Sequence, residues 1–80
     1  MAYCYILYSE KLTKFYIGAC NDLSRRCSEH NSGHSKFTKT GIPWTLVHSE
    51  PFPNLPSAKK REMFIKKKKS RLYILSLLNP

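Results

Sequence analysis

Acidic side chains are scarce in this sequence. Five Asp and Glu stand against fourteen Lys and Arg over 80 residues, a formal charge of +9. A field of that sign favours a polyanionic partner: nucleic acid first, an anionic membrane surface second, with solubility as the plain alternative. Long hydrophobic runs are missing too. No window reaches the ~18 apolar residues that a bilayer span needs. The N-terminus lacks the basic start and apolar stretch of a secretory leader. The expectation is an intracellular, cytoplasmic protein with no membrane partner. Paired cysteines are also absent. Cys4, Cys20 and Cys27 are odd in number and follow no framework spacing, so they read as free thiols in a reducing compartment. Repeats and linkers are lacking, and a chain this short forms one domain, residues 1–80.

What is present suits a small globule: 41% of the residues are hydrophobic and 12% aromatic. The opening MAYCYILY is aromatic, β-branched and apolar, and reads as a strand buried on both faces. A polar turn at Ser9–Leu12 leads to a second strand, Thr13–Cys20, which predicts an antiparallel hairpin. With a loop over 9–12, Tyr8 faces Thr13 and Tyr5 lies opposite Tyr16. Asn21 or Asp22 caps a helix that runs to Asn31 or Ser32, with Gly33 as its stop. Leu23, Arg26, Cys27 and His30 share one face of it, so Arg26 and His30 point at the protein. Residues 33–42 read as a polar, basic loop. A third strand covers 43–49, Pro51, Pro53 and Pro56 stiffen a connector, and Asn54 or a neighbour caps a helix over about 56–68. Its stripe is Ala58, Glu62 and Ile65, and every other charge from Lys59 to Lys69 is positive. Ser70 caps a last helix over 70–78. The order is β-β-α-β-α-α.

Two tyrosines on adjacent strands, an Arg and a His facing inward, one Glu on a basic helix and a positive surround suit phosphodiester hydrolysis. A carboxylate holds Mg²⁺, a hard ion that prefers oxygen, and the metal stabilises the leaving oxygen. An Arg fork matches two phosphate oxygens. A tyrosine can deprotonate water if nearby cations lower its pKa.

Tyr16-Ile17-Gly18 is the "YIG" element of the GIY-YIG nucleases, and Tyr3-Cys4-Tyr5 stands where that family has "GIY". Asn21 to Arg26, with His30 four residues on, resembles the family's Arg-bearing helix. Arg61-Glu62 and the basic run after it resemble its metal-binding helix, and Ser35–Lys39 to Pro43-Trp44 resembles its small stand-alone bacterial branch. The resemblance covers essentially the whole chain. It implies an α/β fold of the α+β type, a three-stranded antiparallel sheet flanked by helices. It also implies a DNA endonuclease using Mg²⁺ or Mn²⁺ and no small-molecule cofactor, acting on flaps, junctions or damaged strands in repair or recombination; the oligomeric state is left open, with a monomer as the expectation. By resemblance Glu62 binds the metal and Arg26 contacts the scissile phosphate. Tyr5 is the general base, His30 receives or relays its proton, and Tyr16 positions water or phosphate; the two tyrosine roles are interchangeable at this level. Arg25, Lys36, Lys39, Lys60, Lys66 and Lys67 are the expected DNA contacts. The first element departs from the family, reading Tyr-Cys-Tyr where only its tyrosine is chemical. An Asn that buttresses the site in many members has Asn79 as its sole counterpart.

Each residue also has a plainer reading. Tyr5 and Tyr16 suit any strand, Arg26 can reach out to water, and Glu62 can pair with Lys66 at i+4. A zinc set from Cys27, His30 and His34 with Cys4 or Cys20 lacks a paired knuckle. A binding module of the same fold would hold DNA or RNA through charge and the aromatics Phe37 and Trp44 without cutting.

Overall fold

A computed structural model describes residues 1–79. Pro80, the last residue of the expected domain, lies outside the described residues. The elements are β1 (Ala2–Ser9), β2 (Lys14–Cys20), α1 (Leu23–Asn31), α2 (Lys36–Lys39), β3 (Trp44–Phe52), α3 (Leu55–Lys68) and α4 (Arg71–Leu78). The expected three-stranded antiparallel sheet is present, in the order β2-β1-β3. The expected element order holds, with a single helical turn, α2, added inside the stretch read as a loop.

β1 is the central strand, which is why its sequence is apolar at nearly every position. Alternate residues serve opposite faces. Cys4 and Ile6 join Ile17, Ile65 and Ile74 in one cluster, under α3 and α4. Tyr5 and Leu7 join Cys20 and Trp44 in the other, against Leu23 and Cys27 of α1. Burying an aliphatic side chain such as Ile6 or Ile65 contributes roughly 1.5–3 kcal/mol, so both layers matter to a chain this small.

The hairpin register differs from the expectation by two residues. Ser9 pairs with Lys14 and Tyr8 with Phe15, so Tyr5 lies opposite Gly18 and Tyr16 opposite Leu7. The loop is Glu10–Thr13, with Thr13 in a left-handed conformation at φ 50°. A shift of two preserves which face each side chain takes. The tyrosines therefore remain on one face, as diagonal neighbours with ring centroids 6.4 Å apart.

Capping explains the helix starts. Asp22, Asn54 and Ser70 each accept a hydrogen bond from the backbone N–H three residues on. Gly33 follows α1 at φ 84°, a left-handed position suited to glycine. β3 runs further than expected, to Phe52, and takes in Pro51, assigned above to a connector. An edge strand tolerates proline because its outer N–H has no ladder partner.

Candidate active site

Tyr5 projects from the central strand toward α1, and its ring lies over Gly18. A Cβ at position 18 would sit 2.5 Å from the Tyr5 hydroxyl and 2.6 Å from its Cζ. The glycine of the Tyr-Ile-Gly motif is thus the space the other tyrosine occupies.

Beneath that ring lies a buried polar chain. Tyr5 is 1% exposed and His30 0%. The Tyr5 hydroxyl is 2.9 Å from His30 Nε2, and His30 Nδ1 is 2.8 Å from Thr38 Oγ1. Burial, then the Arg26 charge, lowers the His30 pKa and keeps the imidazole neutral. A neutral ring has one donor and one acceptor. The consistent assignment has Tyr5 Oη–H donating to Nε2 and Nδ1–H donating to Thr38. Burial pushes the Tyr5 hydroxyl well above its ordinary pKa, while the Arg26 guanidinium pulls the other way. The expectation that cations would lower this tyrosine is therefore corrected: desolvation outweighs Arg26, and the resting group is the phenol.

Arg26 lies on the same helix face, one turn before His30. Its side chain is 39% exposed and donates to Glu29 at 3.0 Å. Arg25 points further out and approaches Glu29 at 3.7 Å. Tyr16 is half-buried amid other rings, with centroids 4.9 Å from His30, 5.8 Å from Phe37 and 6.2 Å from Trp44. It lines a pocket of about 380 Å³ with Phe15, Ile17, Phe37 and Lys66.

The loop over α1 is held by bonds invisible in the sequence. Asn31 acts like an added strand on Trp44, accepting from its N–H at 2.6 Å and donating to its carbonyl at 3.0 Å. The Trp44 indole donates to the Thr38 carbonyl at 2.6 Å. Ser9 Oγ donates to the Gly41 carbonyl at 2.7 Å. These contacts place Thr38 against His30. Sequence reasoning missed both Thr38 and Asn31. The short spacing from Lys36 to Lys39 was the only hint of a helical turn that could aim Thr38 inward.

Glu62 stands apart. Ala58 and Ile65 of its stripe are buried against the other sheet face. The Glu62 carboxylate pairs with Lys66 at 2.6 Å, the i+4 pair foreseen as its plainer role. No hydrogen bond or ion pair joins it to Tyr5, Tyr16 or His30 among the described residues. The link runs round the open edge of β2 through Lys66, which lines the Tyr16 pocket. Groups of three or more His, Cys, Asp and Glu placed to hold a metal do not occur among the described residues. The lone carboxylate fits a hard cation of the Mg²⁺ type, which keeps its waters and takes one carboxylate plus substrate phosphate oxygens.

The remaining basic residues divide by position. Lys36 and Lys39 are exposed on α2, either side of Phe37. Lys60 and Lys67 line a shallow groove with Met63 and Phe64, on the side of α3 turned away from the Glu62 stripe. Arg61 makes a fork to Glu50 at 2.8 and 3.2 Å, tying α3 to β3. Asn79 is exposed at the end of α4. No helix among the described residues is long and apolar enough to cross a membrane.

Residues 1–74 match the family profile described as the GIY-YIG catalytic domain. A UPF0213 protein of Streptococcus pneumoniae is 35% identical over 69 residues, covering 85% of this chain and 69% of the relative. One from Halobacterium salinarum is 42% identical over 53 residues, covering 65% and 69%. The solution NMR structure of a UPF0213 protein from Bacillus halodurans shares the fold with TM-score 0.53 and 32% identity, over 96% of this chain and 87% of that one.

Proposed function

The chain belongs to the GIY-YIG family of nuclease domains, and from that premise we propose that it is a divalent-metal-dependent endonuclease that hydrolyses a phosphodiester bond in DNA. The observation that carries this reading is the buried Tyr5–His30–Thr38 chain beside Arg26. Any buried tyrosine needs a hydrogen-bond acceptor, but a neutral imidazole is an acceptor that can also take up the hydroxyl proton, which a backbone carbonyl cannot do.

In this reading Arg26, half-exposed at the rim, binds the phosphate oxygens and stabilises their developing charge. Tyr16, which lines the pocket, positions water or phosphate. Tyr5 removes the proton from the attacking water while its own proton passes to His30 Nε2. The imidazolium then donates from both nitrogens, to Tyr5 and to Thr38, and Arg26 opposes full charge build-up on His30. The neutral state of His30 makes this transfer possible near pH 7. Glu62 would hold Mg²⁺ or Mn²⁺, which supplies stabilisation of the leaving oxygen. Branched or flapped DNA is the proposed substrate, in repair or recombination, with the exposed side chains of Arg25, Lys36 and Lys39 tracking phosphates.

One observation favours a second reading. The Glu62 carboxylate is engaged by Lys66 and not directed at the tyrosines. A module that binds nucleic acid without cutting would show that arrangement.

A cleavage gel separates the two. Wild type and Glu62→Ala are incubated with single-stranded, duplex, flap and branched DNA, with Mg²⁺, Mn²⁺ or chelator. Metal-dependent cutting by wild type alone, with DNA binding retained by the variant, supports the nuclease. No cutting of any substrate, with equal binding by both proteins, makes the binding module correct.

A further inference from the structure

A second basic cavity lies on the open edge of β2, and of its charged residues only Lys66 has been assigned above. It measures about 320 Å³ and sits between β2, the end of α3 and the start of α4. Its cations are Lys14, Lys66, Lys69 and Arg71, drawn from three different elements. No carboxylate lines it. Lys14, Lys69 and Arg71 have no acidic partner among the described residues. Most of the chain's few acids are committed elsewhere: Asp22 caps α1, Glu29 faces Arg25 and Arg26, and Glu50 holds Arg61. Lys66 is paired with Glu62, while the charges of Lys14, Lys69 and Arg71 are uncompensated among the described residues, a condition that an anion relieves.

The cavity adjoins the Tyr16 pocket, since Phe15, Ile17 and Lys66 line both. Aromatic rings flank this path. Phe37 is 79% exposed at its Tyr16 end. Phe15 lies under the Arg71 guanidinium, 5.0 Å from its ring centroid, at the other. Lys69 occupies a left-handed backbone position at φ 46°, where glycine is the favoured residue. Lysine there keeps a charge on the cavity wall at a site that backbone preference would give to glycine.

Cations spaced along a groove that ends at an exposed ring, Phe37, are suited to an unpaired strand, since a ring can stack only on a base free of its duplex neighbour. We propose that the β2-edge groove binds a single-stranded stretch of nucleic acid, seating a backbone phosphate among Lys14, Lys69 and Arg71 while an unpaired base stacks on Phe37. This inference rests on the nucleic-acid reading above and names the strand form that the site takes: an arm leaving the Tyr16 pocket along β2.

The test is fluorescence anisotropy of the full chain in chelator, so that nothing is cut, with labelled oligothymidylate and a duplex of equal length. The groove variant is Lys14→Gln with Lys69→Asn, since Asn tolerates the left-handed position. The control is Lys11→Gln with Lys59→Gln, which removes the same charge from exposed sites outside the groove. Each phosphate contact contributes a salt slope of about 0.7 on single strands. Loss of two should lower single-strand affinity roughly 20-fold near 0.1 M salt and reduce the slope by about 1.4. The control should leave the preference of single strand over duplex as in wild type. Phe37→Ala, at a side chain too exposed to carry the fold, should lower single-strand affinity by about five-fold or more. Equal losses in the groove and control variants, or a duplex loss as large as the single-strand loss, overturn the proposal. A groove that binds single strands in a protein that cuts nothing would sink the nuclease reading and leave the groove; an active nuclease with unaltered strand preference in the groove variant would sink the groove alone.

Discussion

Gly18→Ala tests whether the motif glycine exists to house Tyr5. The added methyl would lie 2.5–2.6 Å from the Tyr5 hydroxyl and Cζ. Those atoms belong to a ring that is fully buried, not to the free end of a flexible side chain. Overpacking of this kind costs about 1–3 kcal/mol. If the ring swings aside, the bond to His30 opens and leaves a buried nitrogen unpaired, at about 1–3 kcal/mol more. The sum, roughly 2–6 kcal/mol, is a large share of the ~4–12 kcal/mol that a domain of this size has in total. Thermal unfolding should show a fall in Tm of roughly 10 °C or more, and imidazole nitrogen NMR should show a changed His30. Tyr5→Leu removes the clashing atoms, so in that background Gly18→Ala should cost at least about 1 kcal/mol less. A Gly18→Ala variant that melts with wild type and keeps its His30 signals would refute the reasoning, as would strict additivity of the two substitutions.

Tyr5→Phe keeps the ring and deletes the hydroxyl. It should retain the fold at a cost of about 1–3 kcal/mol and slow cleavage by on the order of 10²-fold or more; a wild-type rate would remove Tyr5 as the base. His30 is buried neutral with a lowered pKa, so the unfolded chain takes up its proton first as the pH falls. Stability should be full above pH 6.5, the ordinary value, and decline below it toward the folded pKa. Cleavage should fall on the same acid side as Nε2 protonates, and an identical acid limb in His30→Gln would exclude that origin. Burial raises the Glu50 pKa, but the Arg61 fork and His48 outweigh it and hold it below 4.5, so acid unfolding should gain a second contribution under that pH, absent in Glu50→Gln. Asn31→Ala removes both bonds to Trp44; a loss of about 1–3 kcal/mol by urea titration is expected, and no loss would mean that water replaces the amide without cost.

Much of this protein was settled within single elements. Asp22, Asn54 and Ser70 cap helices because the bond spans three residues, so the sequence located those starts to within a residue or so, leaving Asn21 or Asp22 and Asn54 or a neighbour open. The central position of β1 showed in its unbroken apolar run, and alternation put Tyr5 and Tyr16 on one face even though the register was two residues off. Periodicity likewise turned Arg26 and His30 inward, because helix geometry fixes faces without reference to a partner. What the sequence could not decide depends on contacts between distant segments. Thr38 meets His30 only because Asn31, Ser9 and the Trp44 indole fold a polar stretch back over α1. Gly18 is needed only because Tyr5 crosses it from the neighbouring strand, 13 positions away in an antiparallel pair. Glu62 was legible as the lone acid of its helix, and so was its i+4 pairing with Lys66, but the docking of α3 on the sheet face opposite Tyr5 was not. Whether Tyr5 is lowered by cations or raised by burial likewise depends on how much protein covers it, and desolvation is a property of the packed whole that no local pattern carries.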